Sequence, residues 1–290
     1  MNQWNNWKEQ YNPIKLVQGL KNNVYLQPII QKLEITDQEL LTHYTMFSKY
    51  CEDQKVNSQD RIFDKSFKRN DNNQLVEILT IAKTTAGKEF MYQNYIKNTQ
   101  ISKPIIEQSL DKLEIDSYYD LSELKKQIIR NINNISKLEG YAIEGQATSI
   151  RREFLSSIVN YFALNQISAS YIDLNYLDDK VKNLLNSPTD DLSALIDSLI
   201  DVDVLVIDEL GFKKYSKWFL ETIFIKVLDQ RIQNNKLTYI GSYYSFFEIK
   251  NNILIKNEAE DSKFWLDRLF MLIRQNCHNQ IHVSKEKSWK

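Results

Sequence analysis

Hydrophobic and polar positions follow two regimes along this chain. From about residue 135 onward, short apolar runs rich in β-branched residues alternate with stretches of helical spacing. Residues 138–145 read as a strand entering a turn, and 151–164 set Phe154, Leu155, Ile158 and Phe162 at helical intervals. Residues 169–174 read as a second strand, followed by helical turns to about Asn186. Asp190 or Asp191 is placed to cap a helix running to Ile200, which leads into the mostly apolar run 202–207. A run of that kind reads as a parallel strand buried on both faces. Residues 218–233 form a long amphipathic pattern through Phe219, Ile223, Val227 and Ile232. Residues 238–242 give a fourth strand, 262–275 another helix and 280–284 a last short strand. Strands separated by helices predict an α/β domain with a parallel sheet flanked by helices.

Residues 1 to about 95 differ. The stretches 28–35 and 37–50 read as helices, the second with Leu40, Leu41, Tyr44 and Phe47 on one face. Residues 51–73 are polar and read as loop-rich, and 75–81 read as a strand. The expected organisation is a small, mainly helical domain over 1–95, a linker over 96–117 and the α/β domain over 118–290.

The chemistry gathers at two places in the α/β region. The apolar run ends abruptly in Asp208-Glu209-Leu210-Gly211. Carboxyl ends of parallel strands are where open α/β sheets bind ligands. In nucleotide-hydrolysing sheets such an aspartate holds Mg²⁺ and a neighbouring glutamate polarises the attacking water. A buried strand that merely ends in solvated acids fits the same pattern. Upstream, strand, small-residue turn and helix around Gly145 make the frame of a phosphate-binding loop. Its chemistry is altered. Thr148 and Ile150 stand at glycine positions, Arg151 replaces the lysine, and Arg152 replaces the hydroxyl that would meet Mg²⁺. A β-branched residue held at φ > 0 is strained, so the usual nest of N–H groups is not expected. The planar fork of Arg151 can pair with phosphate, or it can be a surface arginine at a helix start.

Composition narrows the rest. The 290 residues are 42% hydrophobic, enough for a sizeable core, and the net charge of −1 excludes a globally basic nucleic-acid binder. Any DNA contact needs a local patch, for which Lys213 and Lys214 beside the acidic strand are candidates. No apolar run reaches membrane-spanning length, and the amino terminus lacks the apolar core of a signal peptide, so a cytoplasmic location is expected. Cys51 and Cys277 lack zinc or redox spacing and read as reduced thiols. His43, His278 and His282 form no ligand or triad pattern. Trp218 reads as a core residue.

Several segments carry a resemblance. Residues 101–111 are similar to an inter-domain segment with a proline-led turn. Residues 205–211, followed by Ser216-Lys217-Trp218 and by Arg231, look like an acidic strand and its next helix. Gly241-Ser242-Tyr243 resembles a strand that senses the γ-phosphate, with Tyr243 where asparagine is usual. Leu266-Asp267-Arg268-Leu269 resembles a helix bearing trans-acting arginines, with Arg268 matching and Phe264 and Phe270 where further arginines are usual. Together they resemble the AAA+ loaders of bacterial replicative helicases, the DnaC/DnaI-type family. The resemblance implies a primosomal protein whose amino-terminal domain binds the hexameric replicative DNA helicase. It also implies an AAA+ domain that binds ATP with Mg²⁺ and single-stranded DNA, and a homo-oligomer once on the helicase. It assigns Asp208 to the metal, Asp208, Glu209 and Arg268 to catalysis, and Gly145, Thr148, Arg151, Arg152 and Ser242 to nucleotide. It places the acidic strand centrally, beside the strand leading into Gly145. Relatives with a Cys/His zinc site have no counterpart here, since Cys51 stands alone, and no zinc is expected. Loss of the lysine, the hydroxyl and the asparagine together points to weak or absent hydrolysis. Two classes stay open: a loader that binds ATP, and a non-catalytic AAA+-fold adaptor that binds the helicase. A transposition-associated ATPase of related fold is more distant, since it would carry an intact loop.

Overall fold

The computed structural model describes residues 12–56, 58–105, 108–146, 149–185, 192–253 and 263–283. The chain divides into two compact units, Met1–Phe90 and Met91–Lys290.

In the first unit, α1 (Pro13–Lys21) starts with the Asn12 side chain accepting from the Ile14 N–H and with proline in its first turn. Helix α2 (Gln27–Leu33) ends on Glu34 in the left-handed region, at φ 49°. Helix α3 (Asp37–Thr42) opens on a reciprocal capping box between Thr36 and Glu39. Helix α4 (Tyr44–Asp53) follows after a break at His43, so the single helix expected over 37–50 is two. Thr42 Oγ1 donates to the Gln38 carbonyl at 2.8 Å, a back-bond that bends helices at this kind of site. The stretch expected as loop contains strand β1 (Phe63–Arg69), paired antiparallel with β2 (Leu75–Ile81). Phe67 is the ring β1 sets against Phe47 and Tyr50, with centroids 5.2 and 5.1 Å away. The Arg69 fork pins this hairpin to the helices. It donates to both Glu39 carboxylate oxygens at 2.8 and 3.1 Å and to the Leu33 carbonyl at 3.0 Å. Among the described residues no group of three His, Cys, Asp or Glu side chains could hold a metal ion.

Helix α5 (Thr85–Tyr95) spans residues of both units, and the strands of the second unit are then separated by one or two α-helices each. These strands and helices are β3 (Ile96–Lys97), α6 (Tyr119–Arg130), β4 (Gly140–Glu144), α7 (Arg151–Leu164), β5 (Ala169–Asp173), α8 (Leu174–Leu185), α9 (Leu192–Asp201), β6 (Val204–Leu210), α10 (Ile225–Gln233), β7 (Leu237–Ser242), α11 (Phe246–Asn252), α12 (Lys263–Asn276) and β8 (Cys277–His282). The sheet order is β3-β5-β6-β7-β4-β8, and every pairing is parallel. One apolar cluster lies with α8, α9, α10 and α12, and a second with α6 and α7, so both faces are covered. The segment 96–117 supplies β3 and the buried Ile101, Leu110, Leu113 and Ile115.

The acidic strand β6 is interior, as expected, and all seven of its residues are buried. The expected neighbour is wrong. β7 lies between β6 and β4, because the chain leaves β4 through α7 and crosses to β5 before returning by way of β6 and β7. The strand order reverses beside β4, and open α/β sheets bind ligands at the carboxyl ends of the strands next to such a reversal. At the opposite end, Arg231 is fully buried and ties the start of the acidic strand in place. Its guanidinium donates to the carbonyls of Leu199, Ile200, Val202 and Leu237 at 2.6–3.1 Å and to Thr238 Oγ1 at 3.0 Å.

Candidate functional site

In a regular strand, consecutive side chains point to opposite faces, which would separate Asp208 from Glu209. The strand is not regular there. Pairing with β7 advances from Ile207↔Ile240 to Leu210↔Ser242, three steps on β6 against two on its partner. The extra residue is a bulge, and Glu209 sits in the left-handed region at φ 63°. The bulge brings both carboxylates to one side chain, Arg151.

Arg151 opens α7 and is 1% exposed. Its Nη1 donates to the Gly145 carbonyl at 2.6 Å and its Nη2 to Glu209 Oε1 at 2.7 Å. Its Nε lies 3.1 Å from Asp208 Oδ1, an ionic contact off the hydrogen-bond direction. Asp208 has no solvent exposure. Its Oδ1 also accepts the Glu209 N–H at 2.8 Å, and its Oδ2 accepts the Tyr171 hydroxyl at 2.7 Å. Gly241 makes room for this, since a Cβ there would lie 2.1 Å from Asp208 Oδ1. Burial, with the Asp208 charge behind it, pushes the Tyr171 hydroxyl up, so it stays a donor. The same two causes raise Glu209, against the opposing pull of Arg151.

The other expected residues take different places. Gly145 uses its carbonyl on Arg151 and donates its N–H to the Ser242 carbonyl at 3.0 Å. Ser242 is buried and its hydroxyl donates to the Tyr244 carbonyl at 2.9 Å. Thr148 lies outside the described residues. Ile150 adopts φ −73° and is buried in the core, so the expected strain at that position is avoided by a right-handed backbone. Arg152 is solvent-exposed; burial works against its charge, but Tyr171, Asp208, Glu209 and Asp173 together raise its pKa. Arg268 lies half-exposed on α12, 3.8 Å from Asp229 of α10. Lys213 is held by Asp178 and Asp179 at 2.9 and 3.0 Å. Trp218, expected in the core, is 41% exposed. Two participants were not singled out from sequence. Tyr171 sits within β5, two residues before the acid that pairs in register with Asp208. Glu144, buried at the end of β4, accepts the Phe246 N–H at 2.8 Å.

The fold type implies Mg²⁺ with a nucleotide, and the donor set does not fit it. Mg²⁺ needs oxygens with free lone pairs at about 2.0–2.1 Å in octahedral array. The Arg151 guanidinium lies against Asp208 Oδ1 and Glu209 Oε1, where a metal ion would have to sit, and Arg152 offers no oxygen. The carbonyl of Gly145 turns inward to a cation. No chemical step through a metal–nucleotide pair is derived from this arrangement.

Comparison with known proteins bears on the fold and on the resemblance. No family model matches the chain. The replicative helicase loader DnaI of Bacillus subtilis (strain 168) is 21% identical over 180 residues, 61% of this chain. That match spans 57% of DnaI, little more than half its length. A crystal structure of DnaI superposes with a TM-score of 0.54 at 20% identity, covering 66% of this chain and 98% of that one. A crystal structure of the DnaC helicase loader gives a TM-score of 0.44 at 19% identity, covering 61% and 96%. The DnaI superposition establishes the fold. No helix among the described residues is long and apolar enough to cross a membrane. The second unit of this chain has the AAA+ fold, and the chain resembles the DnaC/DnaI-type helicase loaders.

Proposed function

We propose that this chain is a DNA-replication protein of the helicase-loader type. It binds the hexameric replicative DNA helicase and assists its placement on single-stranded DNA, and its AAA+ unit does so without hydrolysing ATP. The observation that supports this reading is a DnaI-like AAA+ sheet whose acidic pair is already occupied by Arg151. An ATP-cycling loader would need those carboxylates free for Mg²⁺ and water. The alternative, a non-catalytic AAA+-fold adaptor, binds the helicase and uses the nucleotide slot only structurally.

Helicase binding is assigned to the first unit. Its terminal aromatics Trp4, Trp7 and Tyr11 lie outside the described residues, and Tyr25 is 44% exposed. Exposed aromatics are favoured interface anchors. The test mixes the full chain with its cell's replicative helicase and measures complex formation by size-exclusion chromatography with light scattering. A stable complex, equal with and without ATP, is expected. A chain carrying only residues 1–95 should retain the helicase and one carrying 118–290 should not. Absence of any complex would defeat the loader reading, and binding by 118–290 alone would defeat the division of labour.

A further inference from the structure

We propose that Arg151 is a built-in cation standing in for a metal–nucleotide pair, so that the AAA+ unit keeps one conformation with or without ATP and Mg²⁺, and that removing this guanidinium uncovers a divalent-cation site on Asp208 and Glu209. Two carboxylates, 0% and 8% exposed, meet at the end of a central strand and require positive charge. The cation is Arg151, contributed by the chain itself and 1% exposed. Its fork joins three segments: the turn after β4 through Gly145, its own helix α7, and the bulge of β6 through both acids.

The backbone is shaped for this partner. The bulge and the left-handed Glu209 bring the second carboxylate onto Nη2, and the missing side chain at Gly241 lets Asp208 come close. Tyr171 fixes the remaining Asp208 oxygen. A diffusible ligand shifts a conformational equilibrium only by its differential affinity for the two states. A cation attached to the chain cannot leave, so it biases the unit permanently toward the conformation that joins the turn, α7 and β6. The inference rests on the geometry of this slot and not on the helicase-loader reading, so either can fail without the other.

Thermal unfolding of the full chain tests it. Wild type in EDTA, in millimolar MgCl₂ and in millimolar MgCl₂ with ATP should show midpoints within about 1 °C of one another, since a ligand that binds the native state raises the midpoint. The Arg151→Gln variant in EDTA should unfold roughly 5–15 °C lower, because two buried acids lose their cation. Mn²⁺ should restore much of that loss and give a saturable Mn²⁺ titration by electron paramagnetic resonance. Arg151→Gln combined with Asp208→Asn and Glu209→Gln should ignore Mn²⁺. A wild-type midpoint raised several degrees by ATP with Mg²⁺ overturns the proposal, as does a folded Arg151→Gln chain indifferent to Mn²⁺. Should that variant not fold in EDTA, refolding it in Mn²⁺ decides the matter. Recovery supports the proposal, and failure beside a triple variant that folds overturns it.

Discussion

Arg231 sets its guanidinium against the end of α9, the turn that leads into β6 and the first residues of β7. It meets carbonyl dipoles and the Thr238 hydroxyl, and among the described residues no carboxylate bonds it directly. Burial pulls its pKa down to about 9, which leaves it charged at neutral pH. Arg231→Met strips the donors from several buried acceptors at once and should cost about 3 kcal/mol or more in urea unfolding. Arg231→Lys should recover only part, because an ammonium cannot span the fork. In the first unit, hydrogen bonds from Arg69, and then the Thr36 N–H, hold Glu39 down to about 2 from an ordinary 4.5. A depressed carboxylate contributes stability that is fully present above its unfolded value and lost as pH falls through the folded one. Urea midpoints should therefore drop between pH 4.5 and 2 in wild type, and less steeply in Glu39→Gln. The charge pattern alone did not reveal either arginine's role. Sequence marks Arg69, Arg151 and Arg231 as cations, but each role depends on acceptors that the fold brings in from elsewhere in the chain.

Elements were legible where their period was long and their two faces differed. The helix expected over 151–164 is α7 residue for residue, and the strand expected over 75–81 is β2. The irregularities were not legible, for definite reasons. Phe219, Leu220, Ile223 and Phe224 are buried in a π-helical turn ahead of α10, yet their spacing also suits one face of an α-helix. The β6 bulge leaves no mark in Asp208-Glu209, because the extra residue is defined only against β7. The hairpin strand β1 escaped because, in a two-stranded sheet, its pattern Phe-Asp-Lys-Ser-Phe-Lys-Arg has little apolar alternation to display. One helix terminus offers a direct test. Glu34 closes α2 at φ 49°, where a side chain is disfavoured and glycine is common. Glu34→Gly should stabilise the first unit by roughly 0.5–1 kcal/mol in chemical denaturation, since its carbonyl bond to Arg69 is kept.

At the scale of the whole molecule, alternation of strand and helix was enough to predict a parallel sheet with the acidic strand inside it. Strand order was not, since the crossover from β4 to β5 is a matter of topology rather than of any residue's preference. The candidate site was half legible. Its acids and its altered loop could be named, but not that the two would satisfy each other. Calorimetry should accordingly find ATP binding weaker than about micromolar and nearly unchanged by Mg²⁺, because the groups that would make it tight are engaged within the chain. The sheet carries one shielded guanidinium at each end, Arg151 at the carboxyl ends of the strands and Arg231 at the amino ends. Proton exchange from such groups waits on opening of the surrounding structure, unlike exchange from solvated arginines. Side-chain N–H signals of these two arginines should therefore persist in nitrogen-labelled spectra at neutral pH. Arg151→Gln and Arg231→Met assign them, and their separate decay in deuterated water would report how readily each end of one sheet opens.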